Sequence, residues 1–253
     1  MKTSTGDARS AESEFVVLHG VPWETYEGIL EALGEYHLRH TYDEGTLEMR
    51  RIVEGVTWQD YLKLMEATPD LSLPHTYDEG TLEVMSPQKD HAWAAKLIDR
   101  MIGAMALDLD IPIQSTGRTS LRSVDRRGGL EPDHSYYIAN EPRVRCKYTY
   151  DPEYDPPPDL VLEVDVTPIS VPRMPVFAKI GLPELWRCRR LQVEFYRLAP
   201  TGSYEAVTHS VGFPFLKPAD LVRFVKRHAE IDETALVREF LAWAREAHKS
   251  WKP

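Results

Sequence analysis

Nine consecutive residues, HTYDEGTLE, occur at His40–Glu48 and again, unchanged, at His75–Glu83. The same shift aligns Gly20-Val21-x-Trp23-x-x-Tyr26 with Gly55-Val56-x-Trp58-x-x-Tyr61, and Glu31-Ala32 with Glu66-Ala67, so residues 17–49 and 52–84 form a tandem duplication. A fixed period separates stacked-repeat architectures from ordinary domains more sharply than any other sequence property. Two copies are fewer than the three or more that a solenoid needs to bury a continuous core, so one copy is expected to be an addition to a conventional domain. Each copy reads as a short helix (Trp23 to Leu33; Trp58 to Ala67), a polar break, and a turn at Asp-Glu-Gly leading into a strand.

The rest of the chain is ordinary enough to build that domain. Of its 253 residues 42% are hydrophobic and 28% charged, which excludes a disordered or collagen-like chain. Apolar runs such as Ile102 to Leu107 are too short to span a membrane, and Lys2 is not followed by a signal-peptide run, so a cytoplasmic protein without a membrane partner is expected. Cys146 and Cys188 lack metal-ligand spacing and fit a reducing compartment. The net charge of -10 argues at first against a phosphate-rich partner, since such binding is driven by Lys and Arg. Its distribution reverses that argument: residues 1–100 hold 9 basic and 19 acidic side chains, whereas the remainder holds 21 of each. The arginines recur at Arg118, Arg122, Arg126, Arg127, Arg143, Arg145, Arg187, Arg189 and Arg190, either as a solvated face or as phosphate contacts.

Along the chain, residues 1–14 lack periodicity and are expected to form a disordered tail. Asp90 is placed to cap a helix whose Leu97, Ile98, Met101, Ile102 and Met105 make one apolar stripe suited to packing on a sheet. Ile111 to Ser123 is β-like, Arg126-Arg127-Gly128-Gly129 reads as a turn, and Ser135 to Ala139 as a strand. Asn140 to Pro158 reads as a loop. The clearest strand is Asp159 to Asp165, in which Leu160, Leu162 and Val164 share one face, and Glu163 and Asp165 the other. A helix around Arg173 to Ile180 ends at Gly181, a hairpin follows over Leu185–Arg187 and Gln192–Leu198, and Tyr204–Ser210 forms a further strand. An amphipathic helix capped by Asp232 closes the chain.

Carboxylates in an apolar strand are costly unless paired, hydrogen-bonded or bound to a cation. Glu163 and Asp165 lie about 6.6 Å apart along one strand face, two steps of roughly 3.3 Å, close enough to share a metal. Hard oxygen ligands suit Mg2+ or Mn2+, which take one or two carboxylates and keep waters. The alternative is a half-exposed strand on which Glu163 and Asp165 face solvent, with arginine partners. A glycosidase built on paired carboxylates fits the acid–base chemistry but has no other support in the chain.

The segments YDEGTLEVMSP (Tyr77–Pro87), His91, EPDHSYYI (Glu131–Ile138), PPPDLVLEVD (Pro156–Asp165), GLPELWR (Gly181–Arg187) and VEFYRL (Val193–Leu198), in this order, resemble the Uma-two family, described as putative restriction endonucleases of the PD-(D/E)xK superfamily. The similarity spans roughly residues 52–245. It implies an α/β fold with a restriction-endonuclease-like mixed β-sheet flanked by helices, here over 51–253, with residues 15–50 as the extra copy of the helix–strand unit. The second copy, which runs directly into Met85-Ser86-Pro87, is then the native element; the first could compete for the same sheet position, dock beside it or pair chains, and is read in preference as a neutral duplication.

By the same resemblance Asp133 and Glu163 are metal ligands for Mg2+ or Mn2+ in phosphodiester hydrolysis of DNA, with Asp165 assisting. Where the superfamily commonly places Lys, this chain has Asp165; Arg173, eight residues before Gly181, or Lys179 is left to supply the positive charge. Arginine steadies phosphate charge but, with a pKa above about 12, is a poor general base. His91 is placed to line the site, and Ala92 stands where relatives are expected to carry Glu. The competing expectation is a catalytically impaired DNA- or protein-binding module that keeps the nuclease fold. Nucleases cutting both strands often act as symmetric dimers, so a homodimer is also an open expectation.

Overall fold

The computed structural model describes residues 14–36, 38–69, 71, 73–85, 89–117, 119–123, 125, 127–147, 150–165 and 172–252, with the side chains of residues 89–92 and 165 outside that description. The expected tail over 1–14 lies outside the described residues except for Glu14, whose carboxylate meets Arg50 at 2.7 Å.

The chain opens with β1 (Phe15–His19), α1 (Trp23–Leu33), β2 (His40–Asp43) and β3 (Thr46–Arg50), and then repeats the order with β4 (Ile52–Glu54), α2 (Trp58–Ala67), β5 (His75–Asp78) and β6 (Thr81–Val84). Both helices span the residues expected from the repeat. Pairing is the same in each copy, β1-β3-β2 and β4-β6-β5, all antiparallel. Each hairpin closes on a two-residue Glu-Gly loop with both φ angles positive, 41° and 82° at Glu44-Gly45, 45° and 97° at Glu79-Gly80. That is the signature of the turn whose twist matches paired strands, and it explains why glycine occupies the second position. The two copies share one core, with Val16, Leu18, Leu47 and Met49 from the first and Val53, Tyr77, Leu82 and Val84 from the second. Their helices touch at Gly28, where an added Cβ would lie 2.6 Å from the Ala67 Cβ.

The copies differ at one edge. β5 continues outward to β9 (Gly128–Leu130), giving a five-stranded sheet β4-β6-β5-β9-β8 that ends at β8 (Leu121–Ser123), while β2 ends its own sheet. Gly128 and Gly129 therefore lie in a strand rather than in the expected turn. The reason is space: a Cβ on Gly129 would fall 2.2 Å from the hydroxyl oxygen of the fully buried Tyr61. Gly129→Ala should cost about 1–3 kcal/mol in urea unfolding, as other overpacked sites do. A smaller loss is expected in a Tyr61→Phe background, where the closest atom is gone.

Behind Tyr61 sits His75, fully buried, with Nδ1 2.7 Å from the Leu73 carbonyl oxygen and Nε2 3.0 Å from the Tyr61 hydroxyl. A neutral ring protonated on Nδ1 satisfies both contacts, because it donates to Leu73 and accepts from Tyr61. Burial holds the imidazole pKa down, to about 4. The unfolded chain therefore binds the extra proton first, and stability present above pH 6.5 drains away as pH falls toward 4, by about 1.4 kcal/mol per unit at most. Unfolding free energies measured at pH 7 and 4.5 should differ less in His75→Gln than in the parent.

A third, six-stranded sheet has the order β14-β13-β12-β11-β10-β7, from β7 (Gln114–Gly117), β10 (His134–Tyr137), β11 (Leu160–Asp165), β12 (Glu184–Arg189), β13 (Gln192–Leu198) and β14 (Tyr204–Val207). Only β11 and β12 run parallel, joined through α5 (Arg173–Ile180), which stops at Gly181 in the left-handed conformation (φ 84°). One face carries α3 (Lys89–Asp108), α6 (Pro218–Lys226) and α7 (Glu233–Ser250) over a core that includes Leu160, Leu162 and Val164. The expected stripe of α3 is fully buried there, and Asp232 caps α7 by accepting the Ala235 N–H. On the other face Val161 packs with Val176, Phe177, Leu121 and Leu130. This is a mixed α/β fold, as expected.

Several boundaries shift. Asp90 falls inside α3, Ile111–Ser123 resolves into two short strands, and Tyr204–Ser210 shortens to β14. The loop after Asn140 contains the one-turn α4 (Glu141–Val144), and α6 was not anticipated. No helix among the described residues is long and apolar enough to cross a membrane.

Candidate active site

The segment Glu131-Pro132-Asp133 is the bridge from β9 in one sheet to β10 in the other, so it lies where the two sheets meet. β10 pairs antiparallel with β11 in the register His134↔Leu162, Ser135↔Val161; Asp133 directly precedes β10, and continuing that register would bring it opposite Glu163. Directly opposed residues share a face, with Cβ atoms about 4.5–5.5 Å apart. Asp133 is fixed there by its own carboxylate, which accepts the Val164 N–H at 2.8 Å. Alternation along β11 turns Glu163 away from the α3 core and toward α5, into a position only 6% exposed. The solvent-facing alternative for Glu163 is thereby excluded.

Arg173, the first residue of α5, meets it. Its Nη2 donates to Glu163 Oε2 at 3.2 Å and to the Glu131 carbonyl at 2.6 Å, and its Nε lies 3.1 Å from Glu163 Oε1. That last approach is an ion-pair contact without hydrogen-bond alignment. Nη1 reaches Met85 Sδ at 3.9 Å, and the guanidinium sits 5.6 Å from the Phe177 ring centroid. A buried carboxylate of this kind carries several kcal/mol of desolvation cost, offset only by such close pairing. The arginine fork thus ties together the Glu131 bridge, the strand carboxylate and the end of the second repeat.

Other expected site residues lie elsewhere. Lys179 is six residues, about 9 Å along the axis of α5, from Arg173. Its ammonium contacts Asp78 Oδ1 at 2.5 Å and Glu79 Oε1 at 2.7 Å. Burial works against its charge, but those hydrogen bonds outweigh it and hold the pKa above the usual lysine value. With Arg127, Trp58 and Tyr77 it lines a cleft of about 880 Å³. His134 turns to the α3 face, 3.6 Å from Asp99, which also accepts from Tyr136 at 2.8 Å. His91 belongs to the first turns of α3, and its side chain, like that of Asp165, lies outside the described residues. Sequence reasoning missed Glu131 and Met85 as partners of Arg173; the Glu131 contact uses a backbone carbonyl, which no residue type reveals.

Two carboxylates on one face are a donor pair of the kind hard divalent cations accept. Among the described residues no three His, Cys, Asp or Glu side chains group as a metal site. The residues present therefore fit a cation held by one or two carboxylates and water, not a cage built wholly from protein.

The Uma2 family model, described as "Putative restriction endonuclease", matches residues 58–227. The chain belongs to the Uma2 family. The match begins within the second repeat and takes in Asp133, Glu163, Arg173 and Lys179, leaving the first repeat outside it. No match is found among curated proteins. Among solved structures the chain is similar to a "putative nuclease belonging to DUF820 from Anabaena variabilis ATCC 29413", with 19% identity and a TM-score of 0.48 over 67% of this chain and 99% of that one.

Proposed function

We propose that this Uma2 protein is a divalent-metal-dependent endonuclease that hydrolyses phosphodiester bonds in DNA. The observation that carries the reading is the Asp133 carboxylate held on the Val164 N–H, beside Glu163 of β11, within the segment matched to the family. Asp133 and Glu163 would hold Mg2+ or Mn2+, with Asp165 assisting. When bound, such a cation supplies Lewis-acid charge and acidifies water. Asp133 presents its carboxylate from a backbone hydrogen bond that fixes its angle. Arg173 orients Glu163 and places a permanent positive charge beside it, suited to steadying phosphate charge but unable to accept a proton. His91, at the start of α3, remains a proposed contact, and Lys179 a more distant source of charge. The arginines of the second part supply phosphate contacts, so affinity for DNA should fall steeply with salt. A symmetric dimer suits double-strand cleavage, and the two free cysteines, Cys146 exposed and Cys188 buried, suit a cytoplasmic setting.

One observation favours a second reading. Both Glu163 oxygens lie within 3.2 Å of Arg173, so a cation at Glu163 shares its ligand with a guanidinium, as a binding module derived from a nuclease would tolerate. Conversion of supercoiled plasmid to the nicked form, dependent on Mg2+ or Mn2+ and stopped by chelator, separates the two. Folded protein that retards DNA yet leaves it intact with either cation would support the module instead.

A further inference from the structure

The first repeat presents, in exposed form, a surface that the second repeat buries. In the second, the outer edge of β5 pairs antiparallel with β9 in the register Thr76↔Leu130, Tyr77↔Gly129, Asp78↔Gly128. Tyr61 presses on Gly129, leaving no room for a Cβ, and Lys179 neutralises the Asp78-Glu79 turn. Those contacts define what completes the edge: an extended backbone with glycine at its centre, and a cation at the turn, supplied there by α5 rather than by β9.

The first repeat reproduces the receiving side. Tyr26 stacks on Tyr42 at 4.4 Å and 14°, as Tyr61 does on Tyr77 at 4.5 Å and 15°. The Tyr26 hydroxyl lies 3.0 Å from His40 Nε2, the same distance that separates Tyr61 and His75. Yet β2 ends its sheet, Trp23 is 53% exposed, and among the described residues no cation meets Asp43 or Glu44. An open strand edge is a template for pairing with another chain, and strand addition is a common mode of peptide recognition.

We propose that the first repeat docks an extended strand of another protein, with glycine opposite Tyr42 and Lys or Arg beside Asp43 and Glu44. The acidic turn and the aromatic step over the strand give this edge charge and shape complementarity to such a segment, by the geometry that β9 and Lys179 satisfy in the second repeat. A second copy of this chain is a poorer occupant. Its own β9 is already paired with β5, and β2 against β2 would set Thr41 or Tyr42 where glycine is needed and bring no cation to either turn.

The probe is a synthetic peptide with the sequence of residues 125–133, titrated into isotope-labelled full-length protein. Saturable NMR shifts confined to β2, its turn and the Trp23 indole are expected. Binding should weaken about tenfold when the peptide carries valine at the position of Gly129, since a clash of this kind costs on the order of one tenfold step in affinity. Asp43→Lys with Glu44→Lys, both exposed, should weaken it similarly without lowering the melting temperature. Equal binding of both peptides, shifts on β5 and β9 instead, no shift at millimolar peptide, or a dimer in sedimentation that Thr41→Pro dissolves would each overturn the proposal. None of these outcomes depends on whether the protein cuts DNA.

Discussion

Arg173→Met is expected to destabilise the protein by about 3–5 kcal/mol, the range found when one partner of a buried ion pair is removed. Methionine fills much of the same space, so the loss is electrostatic. Glu163, 6% exposed, loses the guanidinium, and the Glu131 carbonyl loses its 2.6 Å donor. Denaturant midpoints read the effect directly. Combining Arg173→Met with Glu163→Gln should recover a large part of it, because replacing both charges removes the desolvation cost together with the attraction. Arg173→Lys keeps the charge and loses the fork, so one ammonium must choose between Glu163 and the Glu131 carbonyl, and an intermediate loss is expected. A cost for Arg173→Met no greater than the roughly 1 kcal/mol of an exposed pair would contradict the buried geometry.

Asp133→Asn is expected to lower DNA cleavage by about 100-fold or more, the scale on which a group that stabilises transition-state charge acts. Its amide oxygen can still accept the Val164 N–H, so the β10 entry keeps its anchor and the melting temperature should move little. That combination separates charge from architecture. Glu163→Gln is a less clean test, since it strips Arg173 of its partner; its activity loss is best read beside the double variant, in which the buried arginine is gone as well.

Much of this arrangement was legible in the sequence. Alternation along residues 159–165 assigned Leu160, Leu162 and Val164 to one core, because a period of two leaves a strand no other choice when one face must be buried. The exact repeat located α1 and α2 to the residue. Family resemblance singled out Asp133, Glu163 and Arg173; the structure pairs Glu163 with Arg173 and fixes Asp133 on the Val164 N–H, one residue along β11 from Glu163. What sequence did not disclose was long-range. Gly128-Gly129 carries the local signature of a turn, and only the ring of Tyr61, supplied from 68 positions earlier, explains glycine in a strand. Lys179 looked interchangeable with Arg173 along the chain, yet the pitch of α5 sends it to Asp78 and Glu79. The first repeat looked like an appendage, whereas it shares a core with the second, a fact that depends on how two amphipathic helices pack and not on either one alone.

If Asp133 and Glu163 hold the cation proposed for DNA cleavage, both carboxylates are indispensable to it. Nicking of supercoiled plasmid by purified protein with Mg2+ or Mn2+, run beside Glu163→Ala and Asp133→Ala at matched folded concentration, decides the point. Metal-dependent nicking by the parent that both substitutions abolish is the predicted result. Nicking that survives in either folded variant would place the chemistry elsewhere, and its absence from the folded, cation-supplied parent would contradict the nuclease reading itself.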